Sequence, residues 1–368
     1  MAIQTRRYGF ISWWERIYTL VVLFPLPLIT LYRLAIFNFL PSERHKRWQR
    51  VLGDASFRYI SSSLSVNQMQ NLMGTTLDVY RKFAKANSLP IVIDELDDDT
   101  RLLWFGERQF ENIVFYVHGG TYCLPLQDFA ASFWKYTIEE LRNRTNKNIG
   151  FVALNYSLIP TAYFPTQLKQ TVIAVQHLIS KGVKPENIQM AGESAGGALI
   201  LQLFSHILHP VPGVPLLPKG IQFASACIMS PWVTLTADSG SHAANSDKDV
   251  LPASAWAYLG QQSLPSVSST TQAYLEALKA PEGWFEGIDC SVQRILITVG
   301  ENECLRDDVL EVARKLSSTR DDRSVVTTIV HKNGVHNDQY LDFMSNVTPG
   351  DLTPQIIQWL QDGLGFSS

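Results

Sequence analysis

"IQMAGESAGGALILQLF", residues 188–204, carries a short apolar run, the stretch Gly192-Glu193-Ser194-Ala195-Gly196 and an apolar segment of helical character in one unbroken line. A Gly-x-Ser-x-Gly pattern by itself is weak, because its residue types are common and meet by chance. Its setting gives it meaning. A strand passing straight into a helix strains the backbone of the residue at the turn and needs glycine neighbours for clearance. A serine at that apex stands out from the sheet edge, at the positive end of the following helix. Ser194 is therefore a candidate nucleophile, and the rest of the chain is read for the partners it needs.

Strands alternate with helices around this turn. A helical pattern at 129–142 precedes the strand-like "IGFVALNYSL", and another at 167–181 precedes "IQMAG". Farther on come "ASACIMS" and "RILITVG", a helix at 305–316 and the strand "SVVTTIV". Three more strand-like runs, "LPIVIDEL", "RLLWFG" and "IVFYVHGG", stand upstream, and Asp97-Asp98-Asp99 between the first two reads as a solvated hairpin turn. Such alternation implies an α/β fold with a mostly parallel central sheet covered by helices on both faces. Ligands of such sheets sit beyond the carboxyl ends of the strands, the edge on which His118 and Ser194 fall. Residues 41–88 are helical in pattern, with Met69, Leu72, Met73, Leu77 and Tyr80 on one apolar face. Between about 231 and 289 the alternation lapses for longer than a plain loop allows, which predicts an inserted cap. The expected organisation is an anchor in 1–50 and a catalytic domain in 51–368, with cap contributions from 51–88 and 231–289.

A serine hydroxyl needs a base, usually histidine, that is itself oriented by a carboxylate. In strand-to-helix serine hydrolases the chain order is Ser, acid, His. His206 and His209 ride the helix after the nucleophile, His242 lies in the cap segment, and His331 closes the last strand. His336, in the loop beyond that strand, is the favoured base. The acid is expected after "RILITVG", where Glu301, Glu303, Asp307 and Asp308 compete. The aspartates fall in a first helical turn, where the dipole favours carboxylates anyway, whereas Glu303 sits in the loop proper, free to reach a histidine. Backbone donors for an oxyanion are expected from Ala195, after the nucleophile, and from Gly119 and Gly120 after the third strand.

The chain has 368 residues, a net charge of −3 and no long basic run, which argues against a nucleic-acid partner. Cys123, Cys227, Cys290 and Cys304 are scattered like neither a zinc site nor a disulfide framework. Asn143, Asn155 and Asn346 begin glycosylation sequons. Residues 17–40, "IYTLVVLFPLPLITLYRLAIFNFL", carry one charge, Arg33, and a spanning helix needs about 20 apolar residues. Trp13 and Trp14 precede this run; Arg44, Lys46, Arg47 and Arg50 follow it. A single-pass membrane anchor is expected. Pro25, Pro27 and Arg33 keep open a kinked interfacial or re-entrant anchor and a soluble lid, while the want of a small-residue cleavage site disfavours a cleaved signal. Arg6, Arg7 and Arg16 before the run are too nearly matched by the basic residues after it to fix an orientation.

Over most of 110–345 the chain resembles the hormone-sensitive-lipase-like branch of the α/β-hydrolase fold. "YVHGGTY" is similar to its oxyanion motif, "GESAGGAL" to its nucleophile elbow, "NYSLIPTAYFPTQLKQ" to its Tyr-x-Leu-x-Pro segment, "SPWVTLT" to the start of its cap and "GENECLRDD" to its acid loop. The resemblance places the triad acid at Glu303, where most members carry Asp, and Thr121 where a third glycine is usual. With the anchor, the chain looks most like the fungal membrane-bound steryl acetyl hydrolases, which implies an endoplasmic-reticulum membrane. The expectation is a Ser-His-Glu carboxylic ester hydrolase, deacetylating or short-acyl, acting on an apolar ester that partitions into the membrane. No cofactor and no metal are implied. Two other functions stay open: a biosynthetic enzyme using the same groups for acyl transfer, cyclisation or condensation, and a binding module.

Overall fold

A computed structural model describes residues 7–40, 43–318 and 325–364. Arg6, the first two residues of the expected helical stretch at 41–88, and Ser324 of the expected last strand lie outside the described residues.

Eight strands form one sheet: β1 (Ile91–Glu95), β2 (Arg101–Phe105), β3 (Asn112–Val117), β4 (Ile149–Asn155), β5 (Ile188–Glu193), β6 (Ser225–Met229), β7 (Arg294–Gly300) and β8 (Val325–His331). Their order is β1-β2-β4-β3-β5-β6-β7-β8, with β2 antiparallel to both neighbours and every pair from β4 to β8 parallel. The inner strands are continuous apolar runs because both faces are covered; Ile113 to Val117 are fully buried. The acidic run makes the β1–β2 hairpin turn, where Asp98 and Asp99 both take left-handed φ near +55°, a conformation Asp tolerates better than most residues.

Fourteen helices are described: α1 (Trp13–Leu23), α2 (Leu26–Ile36), α3 (Trp48–Ser63), α4 (Val66–Met73), α5 (Thr76–Ala86), α6 (Asp128–Thr145), α7 (Thr166–Ser180), α8 (Ala195–Leu208), α9 (Gly240–Asn245), α10 (Ala253–Ser263), α11 (Gln272–Leu275), α12 (Arg306–Ser318), α13 (Asp338–Met344) and α14 (Leu352–Asp362). Helices α7, α8 and α12 cover one face of the sheet through Val172, Leu199, Phe204 and Val309. Helices α5, α6, α13 and α14 cover the other through Tyr80, Trp134, Tyr340 and Ile356. The stretch read as one helical region breaks into α3, α4 and α5. Ser65 and Thr75 each close a capping box, with Gln68 and Asp78, and satisfy the free amides of a new helix start.

Parallel register brings the site together. Val117 pairs with Gly192, Gly192 with Ile228, Met229 with Thr298, and Gly300 with His331, so the loops after β3, β5, β6, β7 and β8 leave one sheet edge side by side.

The apolar N-terminal run, Trp13 to Phe39, is long and apolar enough to cross a membrane. It turns at Pro25 between α1 and α2 and lies along α3 and α4. Gln68 of α4 donates to Thr19 at 2.8 Å, Tyr59 of α3 donates to the Val22 carbonyl at 2.8 Å, and Arg33 pairs with Glu43. Thr19 and Thr30 are buried on this seam, while Trp13, Trp14, Leu20, Phe24, Leu28 and Leu31 point outward, Phe24 being 83% exposed. Beyond the run, buried Arg50 of α3 meets Asp54, Asp338 and Asp342 at 2.6 Å each, and these charges hold it protonated. This triple pairing ties α3 to α13, the helix that follows His336.

Candidate active site

Ser194 sits between β5 and α8 with φ 52° and ψ −121°, a left-handed turn that non-glycine residues rarely adopt. Its neighbours permit this. A Cβ at Gly192 would lie 2.8 Å from the carbonyl carbon of Gly196, and one at Gly196 would collide with the Val117 carbonyl. The Ser194 amide donates to the Met229 carbonyl at 2.9 Å and its carbonyl accepts from Trp232 at 3.0 Å, so the strained apex is fixed from both sides.

His336 lies in the loop after β8. Its Nδ1 is 2.7 Å from Glu303 Oε1, with both side chains buried. The other Glu303 oxygen accepts from Ser230 Oγ at 2.8 Å and from the Gly300 amide at 2.9 Å. A carboxylate at Nδ1 keeps the ring proton there and leaves Nε2 as the acceptor. In this structure the Asn337 amide occupies that acceptor at 3.0 Å, and Trp256 of α10 packs edge-on to the ring at 4.9 Å. Burial pulls the imidazole pKa down, but the charge and hydrogen bond of Glu303, with Asp249 and Glu193 behind them, raise it above its ordinary value.

The other residues weighed from sequence fall elsewhere. Asp307 is partly exposed and paired with Arg306, Glu301 accepts from the Asn333 amide, and buried Asp308 faces His242 at 3.6 Å. His331 faces Asp338, His206 bonds the loop at Pro215, and His209 stacks on Trp284. Of the four acids considered, the structure brings Glu303 to His336.

Gly119 differs from its expected part as an oxyanion donor. Its amide already donates to Glu193 Oε1 at 2.6 Å, and a bonded N–H is not free to meet a developing charge. The next two amides, Gly120 and Thr121, have no acceptor among the described hydrogen bonds, nor has Ala195 at the first turn of α8. Thr121 sits at φ 54°, an unusual strain for a β-branched residue, and its hydroxyl is tied to the Gly120 carbonyl at 2.8 Å.

Sequence reading passed over Glu193, the variable residue of the Gly-x-Ser-x-Gly stretch. It accepts from the Gly119 amide and from the hydroxyls of Tyr116 and Tyr340 at 3.0 and 3.1 Å, joining the β3 loop, the elbow and α13. Burial pushes its carboxyl up to about 7, against the pull of these donors. His118, equally buried, stacks on Tyr156 and is held down to about 4, so it stays neutral at working pH.

Ser194, His336, Gly120 and Thr121 open on one cavity of about 320 Å³. Its walls are apolar: Phe57 and Ile60 of α3, Met69 and Met73 of α4, Phe129, and Leu259 of α10. Leu72 of α4, half exposed, stands at its rim.

The family described as alpha/beta hydrolase fold matches residues 114–339. The chain is 25% identical over 336 residues to the Schizosaccharomyces pombe protein named "Putative steryl acetyl hydrolase mug81", covering 85% of this chain and 86% of that one. It is 26% identical over 201 residues to an acetyl-hydrolase of Streptomyces hygroscopicus, covering 55% of this chain and 60% of the relative. Among solved structures, an esterase from the bacterial hormone-sensitive lipase family superposes with a TM-score of 0.63 at 20% identity, over 87% of this chain and 99% of the other.

Proposed function

This chain belongs to the alpha/beta hydrolase fold family, and on that premise we propose that it is a serine carboxylic ester hydrolase that removes short acyl groups from apolar alcohols. The observation that carries the reading is Ser194 at a strained apex in the same apolar cavity as His336, whose far nitrogen is bonded to buried Glu303. The acetyl-hydrolase names of these two relatives point the same way.

In this mechanism His336 Nε2 exchanges the Asn337 amide for the Ser194 hydroxyl. The serine oxygen attacks the ester carbonyl as its proton passes to Nε2, and the Glu303 carboxylate supports the imidazolium. Gly120, Thr121 and Ala195 donate their amides to the oxyanion. Nε2 then gives its proton to the leaving alcohol, and a water repeats the sequence to free the acid. The enzyme therefore needs His336 neutral, and kcat/KM falls on the acid side as the ring protonates. Incubation with a fluorophosphonate probe, followed by a screen of acetyl, butyryl and palmitoyl esters, tests the reading; an unlabelled, inactive protein overturns it.

Thr121 sets the acyl preference, because its side chain lies beside the oxyanion amides in the cavity wall. Thr121→Gly is expected to raise kcat/KM for butyryl over acetyl p-nitrophenyl esters about tenfold, the scale of a methylene or two in a tight apolar pocket. It also relieves a left-handed φ that costs about 1 kcal/mol or more, so the variant should be no less stable. Unchanged chain-length preference removes Thr121 from specificity.

The anchor is read as membrane-seated. Sequence alone suggested a single span, but the seam of α1 and α2 against α3 and α4 favours helices lying in one leaflet. Crossing a hydrocarbon core of about 30 Å requires them to leave Gln68, Tyr59 and Glu43. In sealed vesicles, with exposed Cys290 replaced by serine, Ser12→Cys and Asn38→Cys should react with an impermeant maleimide from the same side. Labelling from opposite sides restores the span. A shortened chain used for solubility must keep Arg50, since starting at Leu52 strips Asp338 and Asp342 of their buried partner; removing one member of such a pair costs about 3 kcal/mol or more.

A further inference from the structure

The loops that carry Glu303 and His336 leave different strands, and the bond between them holds only if both backbones are fixed. Asp249, from the segment between α9 and α10, lies between them. Its Oδ1 accepts the His336 amide at 2.8 Å and the Val250 amide at 2.8 Å. Its Oδ2 accepts the Cys304 amide, next to Glu303, at 2.8 Å. The side chain is 1% exposed. Asn245 and Ser241 hold the same acid loop from the cap side, Asn245 at the Glu303 carbonyl and Ser241 at the Cys304 carbonyl.

This clamp answers a difficulty of length. A glutamate reaches one methylene farther than the aspartate usual at this position, and Glu303 fits by folding back on its own turn, one carboxylate oxygen on the Gly300 amide. The Asp249 carboxylate holds one amide from each loop, His336 from the base loop and Cys304 from the acid loop.

Resting on the ester-hydrolase reading, the geometry points to Asp249 as a positioning residue that sets the Glu303–His336 pair through their backbones and adds a second negative charge behind the imidazolium. The segment between β6 and β7 is thus part of the triad's support as well as a cover. The groups facing this carboxylate are Glu303 and the Cys304 thiol from the acid loop, His336 from the base loop, and Arg58 of α3, whose guanidinium bonds the Asp249 carbonyl. Burial, followed by the nearby Glu303 charge, pushes the Asp249 carboxyl up to about 6, while His336 and the amides pull it down.

Two substitutions test this with p-nitrophenyl acetate. Asp249→Asn removes the charge and turns an NH2 group on one amide. The expected result is a 10- to 100-fold loss in kcat with KM within threefold, and an acid limb of kcat/KM moved to lower pH as His336 loses a stabilising charge. Asp249→Glu keeps the charge but displaces the clamp. It should lose kcat with its acid limb unmoved, and it carries the test if Asp249→Asn does not fold. In a Glu303→Gln background the Asp249→Asn loss should shrink to about threefold, because the two act on one histidine. A kcat within twofold of wild type in either variant, or equal losses in both backgrounds, overturns the assignment. Wild-type protein that neither hydrolyses the ester nor reacts with the fluorophosphonate sinks the ester-hydrolase reading instead, so the two failures are told apart.

Discussion

Ser194→Ala is expected to abolish fluorophosphonate labelling and to lower ester hydrolysis by a thousandfold or more, while the melting temperature stays within a few degrees of wild type. The size of the effect follows from the site acting as a unit. Without the hydroxyl, His336 has no proton to accept and the oxyanion amides have no tetrahedral oxygen to meet, which leaves residual catalysis by binding alone. The fold tolerates the change because what fixes the apex is backbone: the Ser194 amide on Met229, its carbonyl under Trp232, and the glycines at 192 and 196. Alanine keeps all of these. Its Cβ meets the same left-handed φ that serine already endures, so the variant gains little strain. Activity near wild type in purified Ser194→Ala protein would remove this residue from the mechanism.

Glu303→Gln should cut kcat about 100-fold or more, roughly 2.7 kcal/mol of transition-state stabilisation. A glutamine oxygen can still accept from Nδ1, so the loss measures mainly the missing negative charge opposite the imidazolium. The other arm suffers too. Oε2 accepts hydrogen bonds from the Ser230 hydroxyl and from the Gly300 amide. An NH2 group in its place sets two donors head to head at Gly300, a buried mismatch worth about 1 kcal/mol or more. With the negative charge gone, the raised pKa of His336 falls, and the acid limb of kcat/KM should move to lower pH. Asp307→Asn is the control. That side chain is partly exposed, pairs with Arg306 beside it and does not touch His336. Its rate should stay within twofold, with a stability loss of about 0.5 kcal/mol from the helix start. A large rate loss at Asp307 with Glu303→Gln near normal would transfer the acid role.

Much of this protein was open to reading in one dimension. The strand–turn–helix at 188–204 was legible from its own spacing of glycines about a serine, although what excludes a side chain at Gly196 is the Val117 carbonyl on β3. The alternation of apolar runs and helical stretches set a parallel sheet, because a strand buried on both faces must be apolar throughout. Strand ends are local features as well, so the edge carrying His118, Ser194, Glu303 and His336 followed from the pattern. The hairpin at Asp97–Asp99 and the breaks near Ser65 and Thr75 likewise rest on neighbouring residues. Tertiary structure decided what depends on meetings across the chain. Gly119 looked like a free donor until Glu193, 74 residues away, was found on its amide. Asp249 lies unremarked in the sequence of the 231–289 insertion, yet it holds amides 55 and 87 residues distant. The apolar N-terminal run had the length of a span, and the seam of Thr19, Thr30 and Arg33 became visible only against α3, α4 and Glu43. A buried hydrogen bond is fixed by the positions of two backbones, and a sequence states only the chemistry at each end of it.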